Sequence, residues 1–278
     1  MKPARFDYAR PSSLAEASRL LSDQAVFAKI LAGGQSLGPM LNLRLVQPQL
    51  LVDITGIPEL RRVEESDDAL ILGACVTHAN IEDGRVPDAT RGILPAIAGG
   101  IAYRAVRNRG TIGGSLAHAD PAADWVSTLA ALGAEVILAD ASTRRRLPVA
   151  QFMTGVFETA LKPGEILEAV RIPRPSAAAR WGYIKLCRKP GEFAHAMGVV
   201  FADPARDLCR AVVGAIEARP IVLDDARPLF GNGNGRPVGE VDPAIAARLL
   251  EEKGMTDPID RQIRIAALKR AAARANGA

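Results

Sequence analysis

The strongest constraint on this chain lies in two short segments, each setting a Gly-Gly pair beside hydroxyl or amide side chains. The first is Ile30-Leu31-Ala32-Gly33-Gly34-Gln35-Ser36-Leu37, an apolar strand-like run that breaks into glycines and small polar residues. The second, Asn108-Arg109-Gly110-Thr111-Ile112-Gly113-Gly114-Ser115-Leu116, repeats the arrangement. Without a Cβ, glycine lets its backbone N–H approach a ligand closely and opens φ > 0. Successive N–H groups in such turns form concave anion sites. Two that converge suit a diphosphate, with Gln35, Ser36, Thr111 and Ser115 adding neutral hydrogen bonds. Either segment alone is equally well explained as a tight turn; the pair, in an α/β setting, points to a dinucleotide. Neither is G-x-G-x-x-G, and no G-x-x-x-x-G-K-[ST] occurs, which disfavours a doubly wound NAD site and a P-loop.

Composition narrows the field by exclusion. Cys75, Cys187 and Cys209 are odd in number and unpaired in spacing, so they read as small buried hydrophobes rather than disulfides or cluster ligands. His78, His118 and His195 show no metal-ligand spacing. Aromatics make up only 4% and the net charge is +4, too little stacking surface and basicity for a nucleic-acid site. The late basic residues Arg261, Arg264, Lys269, Arg270 and Arg274 read as a solvated helix face. No run is apolar enough to span a bilayer and no signal peptide opens the chain, so the expected address is cytoplasmic.

Punctuation divides the chain into three parts, expected at 1–57, 58–175 and 178–278. In the first, Ser13-Leu14-Ala15-Glu16 reads as a capping box opening a helix to about Ser22, followed by buried strands at 27–32 and 50–54. In the second, strands are expected at 69–74, 134–139 and 166–172, with an apolar helix over 93–102. Asp120-Pro121 has the N-cap and first-turn chemistry of another helix, which should stop near Gly133. Pro173 to Ala179 is the linker candidate. Beyond it, strand-like runs at 181–187, 194–202 and 208–216 suggest an antiparallel meander. A flexible loop over 231–235 and helices near 243–253 and 260–275 complete an α+β pattern.

At this point a family resemblance becomes visible. Ala32-Gly33-Gly34-Gln35-Ser36-Leu37 and Thr111-Ile112-Gly113-Gly114-Ser115-Leu116-Ala117-His118-Ala119-Asp120-Pro121-Ala122-Ala123-Asp124 closely resemble the two flavin motifs of the medium, FAD-binding subunits of carbon monoxide dehydrogenase and related xanthine dehydrogenase-type molybdenum hydroxylases. Phe6-Asp7-Tyr8, Pro11, Leu51-Val52-Asp53-Ile54 and Arg219-Pro220 fit the same pattern. The resemblance implies two α/β subdomains clasping FAD (the PCMH-type fold), then a C-terminal domain of antiparallel sheet plus helices.

It further implies an electron-transfer oxidoreductase subunit. Molybdenum cofactor would sit on a large partner and [2Fe-2S] clusters on a small one, in a dimer of heterotrimers with no nucleic acid and no transmembrane segment. Ala32 to Leu37 and Thr111 to Ser115 would hold the cofactor, although relatives often carry Asn where this chain has Ser115. Asp124 aligns with a carboxylate on the flavin side; its plainer explanation is a first-turn acid complementing a helix dipole. Lys185 aligns with a lysine near the flavin ring, Ile101 with a position packing near it, and Leu167 with a backbone contact. Solvent for the lysine and core for the other two are the alternatives. Phe193 sits where relatives place an aromatic over the ring, with burial in the core equally natural, and His118 is near the cofactor by position. No catalytic residue is implied, because the flavin itself performs the redox chemistry. Two other readings remain open: a self-contained flavoprotein oxidoreductase, and a non-enzymatic nucleotide-binding assembly module.

Overall fold

A computed structural model describes residues 2–217, 219–230 and 238–277. The glycine-rich loop at 231–235 lies outside the described residues.

The N-terminal part comprises β1 (Asp7–Ala9), α1 (Leu14–Ser22), β2 (Ala28–Leu31), α2 (Leu37–Asn42) and β3 (Leu50–Asp53), with the strands parallel in the order β1-β3-β2. Central β3 is the buried strand; β2 lies at an edge with Lys29 exposed, so it is less buried than its apolar sequence suggests. The capping box is only half formed. Ser13 accepts from the Glu16 N–H, but Glu16 reaches past Ser13 to the N–H of Ser12, at 2.9 Å.

The second part holds β4 (Val63–Glu65), β5 (Ala69–Gly73), α3 (His78–Glu82), α4 (Ile93–Gly99), α5 (Arg104–Arg107), α6 (Ile112–His118) and α7 (Asp124–Ala131). It continues with β6 (Glu135–Ala139), β7 (Arg144–Pro148), α8 (Val149–Phe152), β8 (Met153–Gly155), β9 (Glu158–Thr159) and β10 (Ile166–Pro173). Its main sheet, β4-β5-β10-β6-β7, is antiparallel throughout. A register shift between Leu167 and Ala169 turns Glu168 out of the ladder, where Arg62 and Arg144 each bond its fully buried carboxylate at 2.7 Å.

Two helical expectations need correction here. The second glycine segment is not an open loop: Thr111 caps α6 by accepting the Gly114 N–H at 3.0 Å, and both glycines of the pair lie in the first turn. Conversely, Asp120-Pro121 does not start a helix. Ala119, at φ 51°, ends α6, and Asp120 folds the next residues into a turn by accepting from Ala122 through its side chain and from Ala123 through its carbonyl. Helix α7 therefore begins at Asp124, and all eight of its residues are buried.

The C-terminal part is the expected meander, β11 (Arg180–Leu186), β12 (Ala196–Asp203), β13 (Leu208–Gly214) and β14 (Ile221–Leu223), covered by α9 (Pro243–Glu252) and α10 (Pro258–Ala275). Helix α10 begins two residues before the expected 260, with Asp257 as its cap, accepting from Ile259 and Asp260. The basic face of α10 is only partly solvated: Arg264 is buried and donates to the Ala215 carbonyl at 2.8 Å, and Arg274 donates to that of Tyr183. The stretch from Pro173 to Ala179 is pinned rather than loose, since Asp203 accepts from both the backbone and the hydroxyl of Ser176. Of the cysteines, Cys75 and Cys209 are buried and Cys187 is half-exposed. Burial of apolar surface is the main stabilising term for such a fold. One apolar cluster runs continuously from Leu14 and Val52 through Trp125 and Val170 to Val199 and Phe201, so the first two sheets and one face of the third share a core.

Candidate functional site

The two glycine segments meet. A Cβ on Gly33 would lie 2.1 Å from the Arg109 carbonyl oxygen, so only glycine allows this approach of the first segment to the second. Gly113 is likewise pressed on Ala74, at 2.4 Å from an added Cβ. Beside this junction opens a cavity of about 250 Å³. The N-terminal part contributes Arg10, Ala32, Gly33 and Thr55 to its wall; the second part contributes Arg61, Cys75, Thr77, Asn108, Arg109 and Thr111.

The two segments contribute unequally. Among the described residues, the backbone N–H groups of Gly33, Gly34, Gln35 and Ser36 make no hydrogen bond, and Gly34 sits at φ 70°. That is a run of open donors at the start of α2, the arrangement that receives an anion. In the second segment the donors from Ile112 to Ser115 are spent, and among the described residues only the Thr111 N–H makes no hydrogen bond. Ile112 donates to Val76 and Gly113 to Ala74, each at 3.0 Å, and Gly114 donates to the Thr111 hydroxyl. Its glycines serve close packing rather than donation, a distinction that a Gly-Gly pattern does not reveal. The neutral shell expected from side chains is thinner too. Gln35 folds back to donate to the Gly33 carbonyl at 3.0 Å, and neither Ser36 nor Ser115 lines the cavity.

A second cluster forms where α7 packs on the third sheet. Asp124, buried at the first position of α7, accepts from the Tyr183 hydroxyl at 2.6 Å and from the Lys185 ammonium at 3.1 Å on both oxygens. Alternation along β11 places Tyr183 and Lys185 on one face of the strand. Burial, and then the Asp124 charge, raise the Tyr183 hydroxyl well above its ordinary range, so it stays a donor. Asp124 and Lys185 thus come together, and Tyr183 is a member that the sequence did not single out. A Tyr two residues before a Lys in a strand was the available signal, usable only once the facing acid is known.

The other expected residues are dispersed. Ile101 is half-buried at the end of α4, with its carbonyl accepting from Arg107. Leu167 is core at the register shift in β10. Leu37 opens α2. Phe193 is 68% exposed, which removes its explanation as a core residue. His118, at the end of α6, packs against Phe157 at 5.0 Å between ring centres, and burial lowers its pKa against the opposing pull of Asp120. Among the described residues no group of His, Cys, Asp and Glu is placed to hold a metal, and no helix is long and apolar enough to cross a membrane.

The residues present fit a phosphate-bearing dinucleotide: hydroxyls and guanidinium groups line a cavity shaped by Gly33, which tolerates no side chain and begins the run of open N–H donors. Known proteins agree with this chemistry. Residues 4–175 match the family described as the FAD binding domain in molybdopterin dehydrogenase. The chain is 34% identical over 248 residues to caffeine dehydrogenase subunit beta of Pseudomonas sp. (strain CBB1), covering 88% of this chain and 83% of that one. It is 39% identical over 196 residues to the carbon monoxide dehydrogenase medium chain of Hydrogenophaga pseudoflava, covering 70% and 68% respectively. A solved structure of carbon monoxide dehydrogenase from Hydrogenophaga pseudoflava, lacking the Mo-pyranopterin moiety, superposes with a TM-score of 0.85 at 30% identity, over 100% of this chain and 99% of that one. The chain belongs to the FAD-binding medium subunits of the molybdenum hydroxylases, a family of oxidoreductase components.

Proposed function

We propose that this chain is the electron-transfer flavin subunit of such a hydroxylase, receiving electrons from [2Fe-2S] clusters on a small partner and passing them to an external acceptor. The molybdenum cofactor sits on a large partner, the three subunits form a heterotrimer that dimerises, and the complex is cytoplasmic. The chain divides functionally at 1–57, 58–175 and 178–278, with the cofactor between the first two parts and the third closing over it. The observation that carries this reading is the meeting of both glycine segments beside one cavity in a chain of this family.

In this reading Ala32 to Leu37 bind the diphosphate through the open N–H groups of Gly33 to Ser36. Thr111 lines the same cavity and offers its hydroxyl proton, its oxygen being engaged as the helix cap. Ile112 to Ser115 set the close packing that brings this wall into place. Helix α6 leads from its cap Thr111 on the cavity wall to Ala119, five residues before Asp124, and so links the two clusters along the chain. FAD, when bound, supplies the redox-active ring. Lys185 presents an ammonium to the ring end, Asp124 offsets that charge, and Tyr183 fixes the carboxylate. Ile101 packs beside the ring and Leu167 contributes a backbone contact, while exposed Phe193 and half-buried His118 flank its access.

Rapid mixing of the purified complex with its reducing substrate tests the assignment. Bleaching of iron–sulfur absorbance followed by flavin reduction is expected, with acceptor turnover lost when this chain is omitted. Full acceptor turnover by a complex lacking the chain would overturn it.

A further inference from the structure

Three guanidinium groups line the cavity, and none has a partner among the described residues. Among the described residues the side chains of Arg10, Arg61 and Arg109 make no hydrogen bond or ion pair, whereas their neighbours Arg62 and Arg107 are both tied to carboxylates at 2.7 Å. Arg10 lies over Gly56, where an added Cβ would come within 3.2 Å of its Nε. The carboxylate in its field is Asp53, already engaged by Tyr8 and by both donors of Thr55. Unpaired arginines on one concave wall leave a local positive potential that an anionic ligand would neutralise. The backbone offers only neutral donors there: the N–H groups from Ile112 to Ser115 are spent, leaving the run from Gly33 to Ser36 and the Thr111 N–H open, with no formal charge to balance a diphosphate.

We infer that Arg10, Arg61 and Arg109 supply the countercharge for the cofactor's diphosphate, so that cofactor retention in this chain is electrostatic and salt-dependent. The inference rests on the FAD reading and deepens it. Guanidinium matches phosphate oxygens through paired N–H donors. Exposed at the mouth of an open cavity, the three charges are screened by added salt. The same site accepts ADP, which carries a diphosphate, and rejects riboflavin, which has none.

The test is equilibrium binding of FAD, ADP and riboflavin to the deflavinated complex at low and high KCl, for the wild type and for Arg10→Gln, Arg61→Gln and Arg109→Gln. Each replaced arginine is expected to weaken FAD and ADP about tenfold or more at low salt, the scale of a lost charged hydrogen bond. Each should also flatten the dependence on KCl, with riboflavin unaffected. Variants that bind FAD and ADP like the wild type, or wild-type affinities indifferent to salt, would overturn the arginine assignment alone. A wild-type complex that takes up no FAD at any salt would overturn the FAD reading and this inference with it.

Discussion

His78 lies within the shared core, where its backbone N–H donates to Gly110 and its Nδ1 accepts the Trp125 indole N–H at 3.2 Å. That acceptance assigns the ring proton to Nε2 and requires a neutral imidazole. Burial, helped by the Arg107 charge, lowers its pKa from 6.5 to about 4. The unfolded chain therefore binds this proton first as pH falls. The stabilising contribution is fully present above pH 6.5 and is lost as pH falls toward about 4. The shift corresponds to on the order of 3 kcal/mol. His78→Gln should lower the melting temperature near neutrality and flatten its decline through this window. A variant with the wild-type slope would show that another group governs the acid sensitivity. Residue identity alone revealed little of this. His78 showed no ligand spacing, and its role depends on Trp125, 47 positions away. Asp124 and Lys185 were singled out through resemblance, but their pairing across 61 positions depends on how α7 packs against the third sheet.

Elements were legible where local chemistry and burial agree. Strands with continuous apolar runs, such as β10 and β12, and capped helices such as α9 fall close to their expected bounds. Helix α6 was missed because adjacent glycines each disfavour a helix by about 1 kcal/mol relative to alanine. Tertiary packing overrides that cost, with Ile112 and Leu116 fully buried and Thr111 as cap. Asp120-Pro121 misled for the opposite reason: its side chain stabilises a turn with the same hydrogen-bonding chemistry as a cap. Glycine also decides a contact that no periodicity signals. A Cβ on Gly182 would lie 1.9 Å from the Ala271 carbonyl oxygen, and one on Gly198 would lie 2.7 Å from the Ala267 backbone, so α10 rests directly on β11 and β12. Gly198→Val should therefore force this helix away and destabilise the chain by about 3 kcal/mol or more, because overpacking against backbone has little room to relax. Chemical denaturation measures this, and a loss below about 0.5 kcal/mol, typical of surface changes, would contradict the described packing.

At the scale of the molecule, the three-part pattern emerges from sequence, while the arrangement of the parts does not. Punctuation marks the ends of elements; it does not say that Gly33 will rest on Arg109, or that the first two sheets share one core with a face of the third. The site is a product of that arrangement. Its cavity draws Arg10 and Thr55 from one part and Arg61, Thr77 and Thr111 from another, and none of these but Thr111 stood out in the sequence. The central claim is that this junction holds FAD. It is tested most directly by denaturing the purified complex and counting the FAD released per copy of this chain. About one FAD per chain is expected, falling sharply in Gly33→Val, whose side chain would collide with the Arg109 backbone. A wild-type complex without FAD, or a Gly33→Val complex that keeps its full complement, would contradict it.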